Sequence, residues 1–190
     1  MPGTQEDIID GLLAQHQQIK LLFAQVATAP GEHKQRLFQE LTRLLAVHEN
    51  VEETILHPLA ERELVDADAV VPPRIAEERD AKQALNRLYE LGVDSAQFDI
   101  ELAALRDAVA AHAEAEEELE FGQLRLIVEP ERLQRMVATM EAAALLSHSR
   151  SDGGGRGAAT DPFAGPPAAV FDRVRDALRD AVQAGAGRYR

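Results

Sequence analysis

The sequence predicts an all-α fold: an up-and-down antiparallel four-helix bundle, a short fifth helix and, after a flexible linker, a C-terminal amphipathic helix. Three observations predict it. Apolar residues recur at spacings of three and four through most of the chain, which is the helical period and not that of a strand. The composition is rich in Ala, Leu, Glu and Arg, with 45% hydrophobic but only 4% aromatic residues, as expected for long helices around an aliphatic core. Short breaks such as Pro30-Gly31 and Gly92 separate the periodic segments, and short connections make antiparallel neighbours. At 190 residues there is room for one domain with a sizeable core. Residues 1–146 read as the bundle, 147–167 as the linker and 168–190 as the last helix.

The first helix is expected to start at Thr4, with Asp7 completing a capping box, and to reach about Val26. Its seam reads Ile9, Leu12, His16, Ile19, Phe23, Val26. The second is expected from about Glu32 to Glu63 on Leu41, Leu44, Val51, Ile55 and Leu59, and Pro58 inside it removes a backbone donor and predicts a kink or short break. VDADAVVPP reads as a connector, with Pro72 and Pro73 opening the third helix and Gly92 closing it. That helix has the seam Val71, Ile75, Glu78, Ala81, Leu85, Leu88. Asp94 or Ser95 caps the fourth, which runs to about Leu124 on Phe98, Leu102, Leu105, Val109, His112, Glu116 and Leu119. Pro130 starts the fifth, through Leu133, Met136, Val137 and Met140. SHSRSDGGGRGAATDPFAGPP has a linker composition. Beyond it Val170, Phe171, Val174, Ala177, Leu178, Ala181 and Val182 share one face, in a helix expected to fold back onto the bundle or to join two chains in a homodimer.

The formal net charge is -13, and residues 147–190, with 7 Arg against 5 Asp, carry none of the excess. The acidic body would repel nucleic acid and anionic membranes, so neither is expected as a partner. No apolar run is long enough to span a bilayer. MPGTQEDIID carries acids where a secretory signal carries basic residues, and the expectation is a cytoplasmic protein. With no cysteine, any metal must be held by nitrogen and oxygen donors.

The chemistry lies in ionisable residues that interrupt the seams. LLAVHENVEETILHP places His48 and Glu52 one above the other on the buried face of the second helix, and VAAHAEAEEELEFG repeats the H-x-x-x-E-E pattern at His112, Glu116 and Glu117. His16 and Glu78 occupy corresponding places on the first and third helices, each with apolar residues at plus three, plus seven and plus ten. A lone histidine on an apolar face is ordinarily a hydrogen-bonded core residue. Four helices contributing at one level call for a bound cation, because three buried carboxylates without partners would each cost several kcal/mol or have to protonate.

On His16 in AQHQQIK, His48 and Glu52 in HENVEETILHP, and His112 and Glu116 in HAEAEEELEFG, the chain resembles the hemerythrin-like family of HHE cation-binding domains over roughly residues 5–145. The resemblance implies a non-haem di-iron centre in which the two motif glutamates bridge both irons and the histidines cap them. The third helix departs from the family's Glu-His pattern and reads Glu77-Glu78-Arg79-Asp80. Alignment on the seam puts Glu78 in the histidine's place, whereas a slip of one residue would put Arg79 there, which cannot ligate. The expected metal ligands are therefore His16, His48, Glu52, Glu78, His112 and Glu116, holding two iron ions, with manganese or zinc left open by the donor set. His57 lies nine residues from His48, on the opposite side of an ideal helix unless the Pro58 kink moves it. His33 and His148 read as surface residues, and Glu49, Glu53 and Glu117 as acids around the site.

The leading functional expectation is a di-iron protein that binds, senses or reduces O2, peroxide or NO. The extra carboxylate favours oxidase-, peroxidase- or catalase-like chemistry over oxygen carriage. Two readings stand beside it: an iron sensor or metal-storage module, and a metal-free bundle in which the histidines pair with the glutamates.

Overall fold

The computed structural model describes residues 6–148 and 165–186. These form helices throughout, with no strand among the described residues. Helix α1 (Ile8–Thr28) starts at Asp7, whose carboxylate accepts the Asp10 N–H at 2.9 Å while the Asp10 carboxylate accepts the Asp7 N–H at 3.1 Å. The capping box is thus Asp7 with Asp10, and Thr4, the expected cap, lies outside the described residues. Helix α2 (Gly31–Val51) leads without a break into a π-turn (Glu52–Leu56) and then α3 (His57–Glu63). Here Pro58 falls in the first turn of α3.

Helix α4 (Ala67–Leu91) begins five residues before Pro72, so VDADAVVPP is not the expected connector. Ala67 and Val71 are buried, and the N–H groups of Ala69 and Val70 both return to the Asp66 carbonyl. Burial of that turn offsets the donors missing at Pro72 and Pro73, which cost least near a helix start. Gly92, at φ 74°, closes α4. Ser95 caps α5 (Ala96–Glu116) by accepting the Gln97 N–H at 3.3 Å. A second π-turn (Glu117–Phe121), α6 (Gly122–Ile127), α7 (Pro130–His148) and α8 (Pro167–Ala186) follow.

Helix α1 packs on α2, α5 and α7, α4 packs on α5, and α8 lies against α2, α4 and α7. The last helix therefore folds back onto its own bundle, burying Val170, Phe171, Val174 and Leu178, and Asn50 of α2 donates its side-chain amide to the Phe171 carbonyl at 3.3 Å. Most of the expected linker, residues 149–164, lies outside the described residues. Two apolar clusters fill the interior. One is built around Phe23, Phe38, Leu41, Leu85 and Phe98, and the other around Ile9, Leu12, Leu56, Leu59 and Phe121. Along α1, α2, α4 and α5 the change from one cluster to the other falls at His16, His48, Glu78 and His112, so a polar layer separates them.

The π-turns correct the expected seams. Each carries five residues where an α-helix would carry fewer per turn, so the buried stripe after it moves on by one position. Leu119 is 47% exposed, and Glu120 and Phe121 are buried in its stead. Leu56 likewise is fully buried in the place expected for Ile55, which is only half-buried. Ile75 is also exposed, because the stripe on α4 passes in two turns from Val71 to Glu78. Replacing Leu56 with Ala should cost ~2–5 kcal/mol as a core truncation, whereas Leu119→Ala should stay within about 0.5 kcal/mol. Urea unfolding of the two variants checks this, and similar costs would contradict the shifted register.

Candidate metal centre

Each ionisable residue of the layer is delivered by helix geometry. His48 and Glu52 stand four residues apart across the junction of α2 with the first π-turn, and His112 and Glu116 stand four apart at the end of α5, so each pair projects from one face. His48 Nε2 lies 3.3 Å from Glu52 Oε1, and His112 Nε2 lies 3.2 Å from Glu116 Oε1. His16 comes in from α1, its Nε2 3.3 Å from Glu116 Oε2, and Glu78 comes in from α4. Glu78 is 1% exposed, while Arg79 points outward beside Asp80, so the seam alignment and not the one-residue slip describes α4.

The structure brings all six expected residues into two adjoining groups, each of four donors within 4.8 Å of one another. One is His16, His48, Glu52 and Glu116, and the other is Glu52, Glu78, His112 and Glu116. The two groups share Glu52 and Glu116. His33 is exposed, and the His148 side chain lies outside the described residues.

Whether these residues suit a cation is decided by their hydrogen bonds. The outer nitrogen of each histidine is engaged: Nδ1 of His16 with Glu117 Oε1, Nδ1 of His48 with Gln15 Oε1, and Nδ1 of His112 with Glu77 Oε2, all at 2.9 Å. An imidazole that donates Nδ1–H outward presents the lone pair of Nε2 inward, the arrangement in which metal-binding histidines are held. On the inner side, His16 Nε2, His112 Nε2, Glu78 Oε2 and both oxygens of Glu52 and of Glu116 are buried without a hydrogen-bond partner. A metal-free layer of hydrogen-bonded ion pairs would satisfy those atoms. Left unsatisfied, each would cost ~1–3 kcal/mol or more, and the donor set fits a transition-metal cation.

The electrostatics agree. Burial, followed by the charge of Glu116, pushes the Glu52 carboxyl well above its usual range, and burial pushes Glu49 and Glu78 up as well. Burial together with neighbouring His16 depresses His48 to about 3, keeping it neutral. Burial also opposes the charge on Glu116, but the imidazoles of His112 and His16 outweigh it and hold that carboxyl low. Lys82 supplies the nearest lysine charge, paired with Glu53 and lying 3.7 Å from Glu49.

The sequence model described as Hemerythrin HHE cation binding domain matches residues 7–124. The chain belongs to that family. The matched span contains the whole donor layer, so the HHE family's cation-binding property and the groups able to hold a metal coincide in this chain. A crystal structure of a hemerythrin HHE cation binding domain-containing protein from Mycobacterium kansasii superposes with a TM-score of 0.68 at 21% identity, covering 88% of this chain and 99% of that one. At that identity the likeness shows the fold. No curated protein matches the chain. Among the described residues no helix is long and apolar enough to cross a membrane.

Several residues of the HHE layer were not singled out from sequence. Gln15 and Glu77 each stand one position before an inward residue, His16 and Glu78, and hold the histidine of the next helix. That parallel was available as a signal. Glu120 was hidden by the second π-turn. His57, by contrast, was expected to face away on an ideal helix unless the Pro58 kink moved it, and it lies in the interior beside Glu78 and Glu120. Glu117 is partly exposed, so Glu117→Ala should leave the fold intact yet weaken metal affinity ~10–100-fold by freeing the His16 ring. Competition with a chelator of known affinity measures this, and unchanged affinity would contradict the role given to Glu117.

Proposed function

We propose that His16, His48, Glu52, Glu78, His112 and Glu116 hold two iron ions, and that the protein uses them to react with O2, peroxide or NO. The observation that carries the proposal is the pairing of outward-anchored Nδ1 atoms with unpartnered inner atoms in two donor groups that share Glu52 and Glu116. Six inward donors are too many for one four-coordinate ion. Two ferrous ions supply two electrons when bound, the number that takes oxygen to peroxide.

The chain's own part is access, exclusion of water and electronic bias. A cleft of about 300 Å³ runs between α4 and α5 to the layer, touching His48, Glu78 and His112. Small and aliphatic side chains line part of it, among them Ala81, Ala84, Leu105 and Ala108, and charged ones line the rest, among them Asp80, Arg87 and Glu101. The aliphatic part of the wall suits a small neutral molecule. Leu105 is buried and Val109 half-buried, which limits water near the donors. Glu78 places an anion where a neutral imidazole would leave the centre less electron-rich, and so biases it towards the higher oxidation state. That supports reduction of the bound molecule over reversible carriage.

Protein loaded with iron under anaerobic conditions should hold close to two ions per chain by elemental analysis. Removing them should lower the melting temperature, since Glu52, Glu78 and Glu116 are then left facing one another. Exposure of the loaded form to oxygen or peroxide should oxidise the iron, and Glu52→Ala should abolish two-ion loading. Failure to retain metal, or a single zinc per chain, would overturn the proposal.

A further inference from the structure

The layer is built twice. His48, Glu52 and Glu53 correspond residue for residue to His112, Glu116 and Glu117, and each run passes into a π-turn, which begins at Glu52 in one and at Glu117 in the other. On the preceding helices Gln15-His16 corresponds to Glu77-Glu78, with Gln15 holding His48 and Glu77 holding His112 at the same 2.9 Å. Continued through the π-turns, the correspondence sets Leu56 against Glu120 and Phe121 against His57.

Besides Gln15 and Glu77, those positions are where the halves differ. In one, the His16 ring stacks on Phe121 with centroids 5.7 Å apart and planes 11° from parallel, and Phe121 shares an apolar cluster with Leu56. In the other, Glu78 replaces the histidine, and its Oε1 lies 2.6 Å from His57 Nε2. His57 Nδ1 in turn lies 3.0 Å from Glu120 Oε1. Where one half has an imidazole backed by an apolar ring and an aliphatic side chain, the other has a carboxylate backed by an imidazole and a second carboxylate. All three members are at most 2% exposed.

Three exchanges at corresponding positions, linked by two hydrogen bonds, form one unit. A carboxylate in the place of His16 can rotate and can offer both oxygens, which an imidazole cannot. A ring behind it that donates no hydrogen bond, such as Phe121, would leave its second oxygen buried and unpaired. His57 supplies the missing partner, and Glu120 orients His57. With Oε1 taken, only Oε2 of Glu78 remains without a partner.

We propose that His57 and Glu120 are a positioning pair for Glu78, holding it as a one-oxygen ligand and making the two metal positions chemically unlike. One position has His16 and His48 beside the shared glutamates, and the other has Glu78 and His112. The inference rests on the two-ion reading above. It goes further in assigning His57 and Glu120 a role outside the set of ligands and in distinguishing the two ions.

The test uses full-length protein loaded anaerobically with ⁵⁷Fe(II), read by elemental analysis and Mössbauer spectroscopy. The unaltered chain should show two ferrous quadrupole doublets of equal area. His57→Phe should shift or lose one doublet and leave the other in place, while His57→Gln, which keeps a donor for Glu78, should retain both. The triple variant Glu78→His, His57→Phe, Glu120→Leu reproduces the His16, Phe121 and Leu56 trio and leaves no unpaired carboxylate, so it decides the matter even where His57→Phe does not fold. It should keep two ions and converge on one doublet. Two ions in a single doublet in the unaltered chain, or two unlike doublets in the triple variant, would overturn the positioning pair. Fewer than two ions in the unaltered chain would instead overturn the two-ion reading.

Discussion

The structure depends on one unresolved contact. Glu52 and Glu116 meet at the centre of the bundle with none of their four oxygens hydrogen-bonded and with no solvent exposure. Bare carboxylates cannot share such a place at a tolerable free energy. Protonation relieves part of the repulsion, and burial does push Glu52 in that direction, but a proton on one oxygen leaves the others and the inward Nε2 atoms unsatisfied. A cation between the two groups satisfies all of them together. The outward hydrogen bonds of the three histidines then have a purpose, since they turn the donor atoms towards that space.

Around this layer the bundle is arranged as two apolar clusters with the donors between them. Stability from the clusters is what permits an unfavourable polar layer in the middle. The π-turns that begin at Glu52 and just after Glu116 serve the same end. Each lets an i, i+4 pair face the centre and then resets the helix so that the next stripe is buried in turn. Helix α8 closes the α2 and α4 side, where Phe171 lies under the Lys82 ammonium at 5.2 Å from the ring centroid, beside buried Glu49.

Much of this was legible in the sequence, and most of what was not lies at the π-turns. The inward residues could be found because His16, His48, Glu78 and His112 fall in register with aliphatic neighbours, and the two H-x-x-x-E-E runs announced each other. Glu78 was separable from Arg79 on that register alone. The sequence reading failed at Leu119, Ile55 and Glu120, all of which lie in a π-turn. A constant step of 100° per residue cannot represent an inserted residue, so it exposes what is buried and buries what is exposed. The start of α4 was misplaced for a different reason, since burial of Ala67 and Val71 outweighed the usual helix-opening role of Pro72. Glu117 was expected among the acids around the site, but its pairing with His16 across helices leaves no local pattern.

The central claim is that two cations occupy the layer, one in each donor group. The most direct measurement is an anomalous-scattering map from crystals of iron-loaded protein collected at the iron edge. Two peaks about 3.5–4 Å apart, one nearer His16 and His48 and the other nearer Glu78 and His112, with Glu52 and Glu116 between them, are the predicted result. A single peak, or no peak in protein whose loading was verified before crystallisation, would contradict the account.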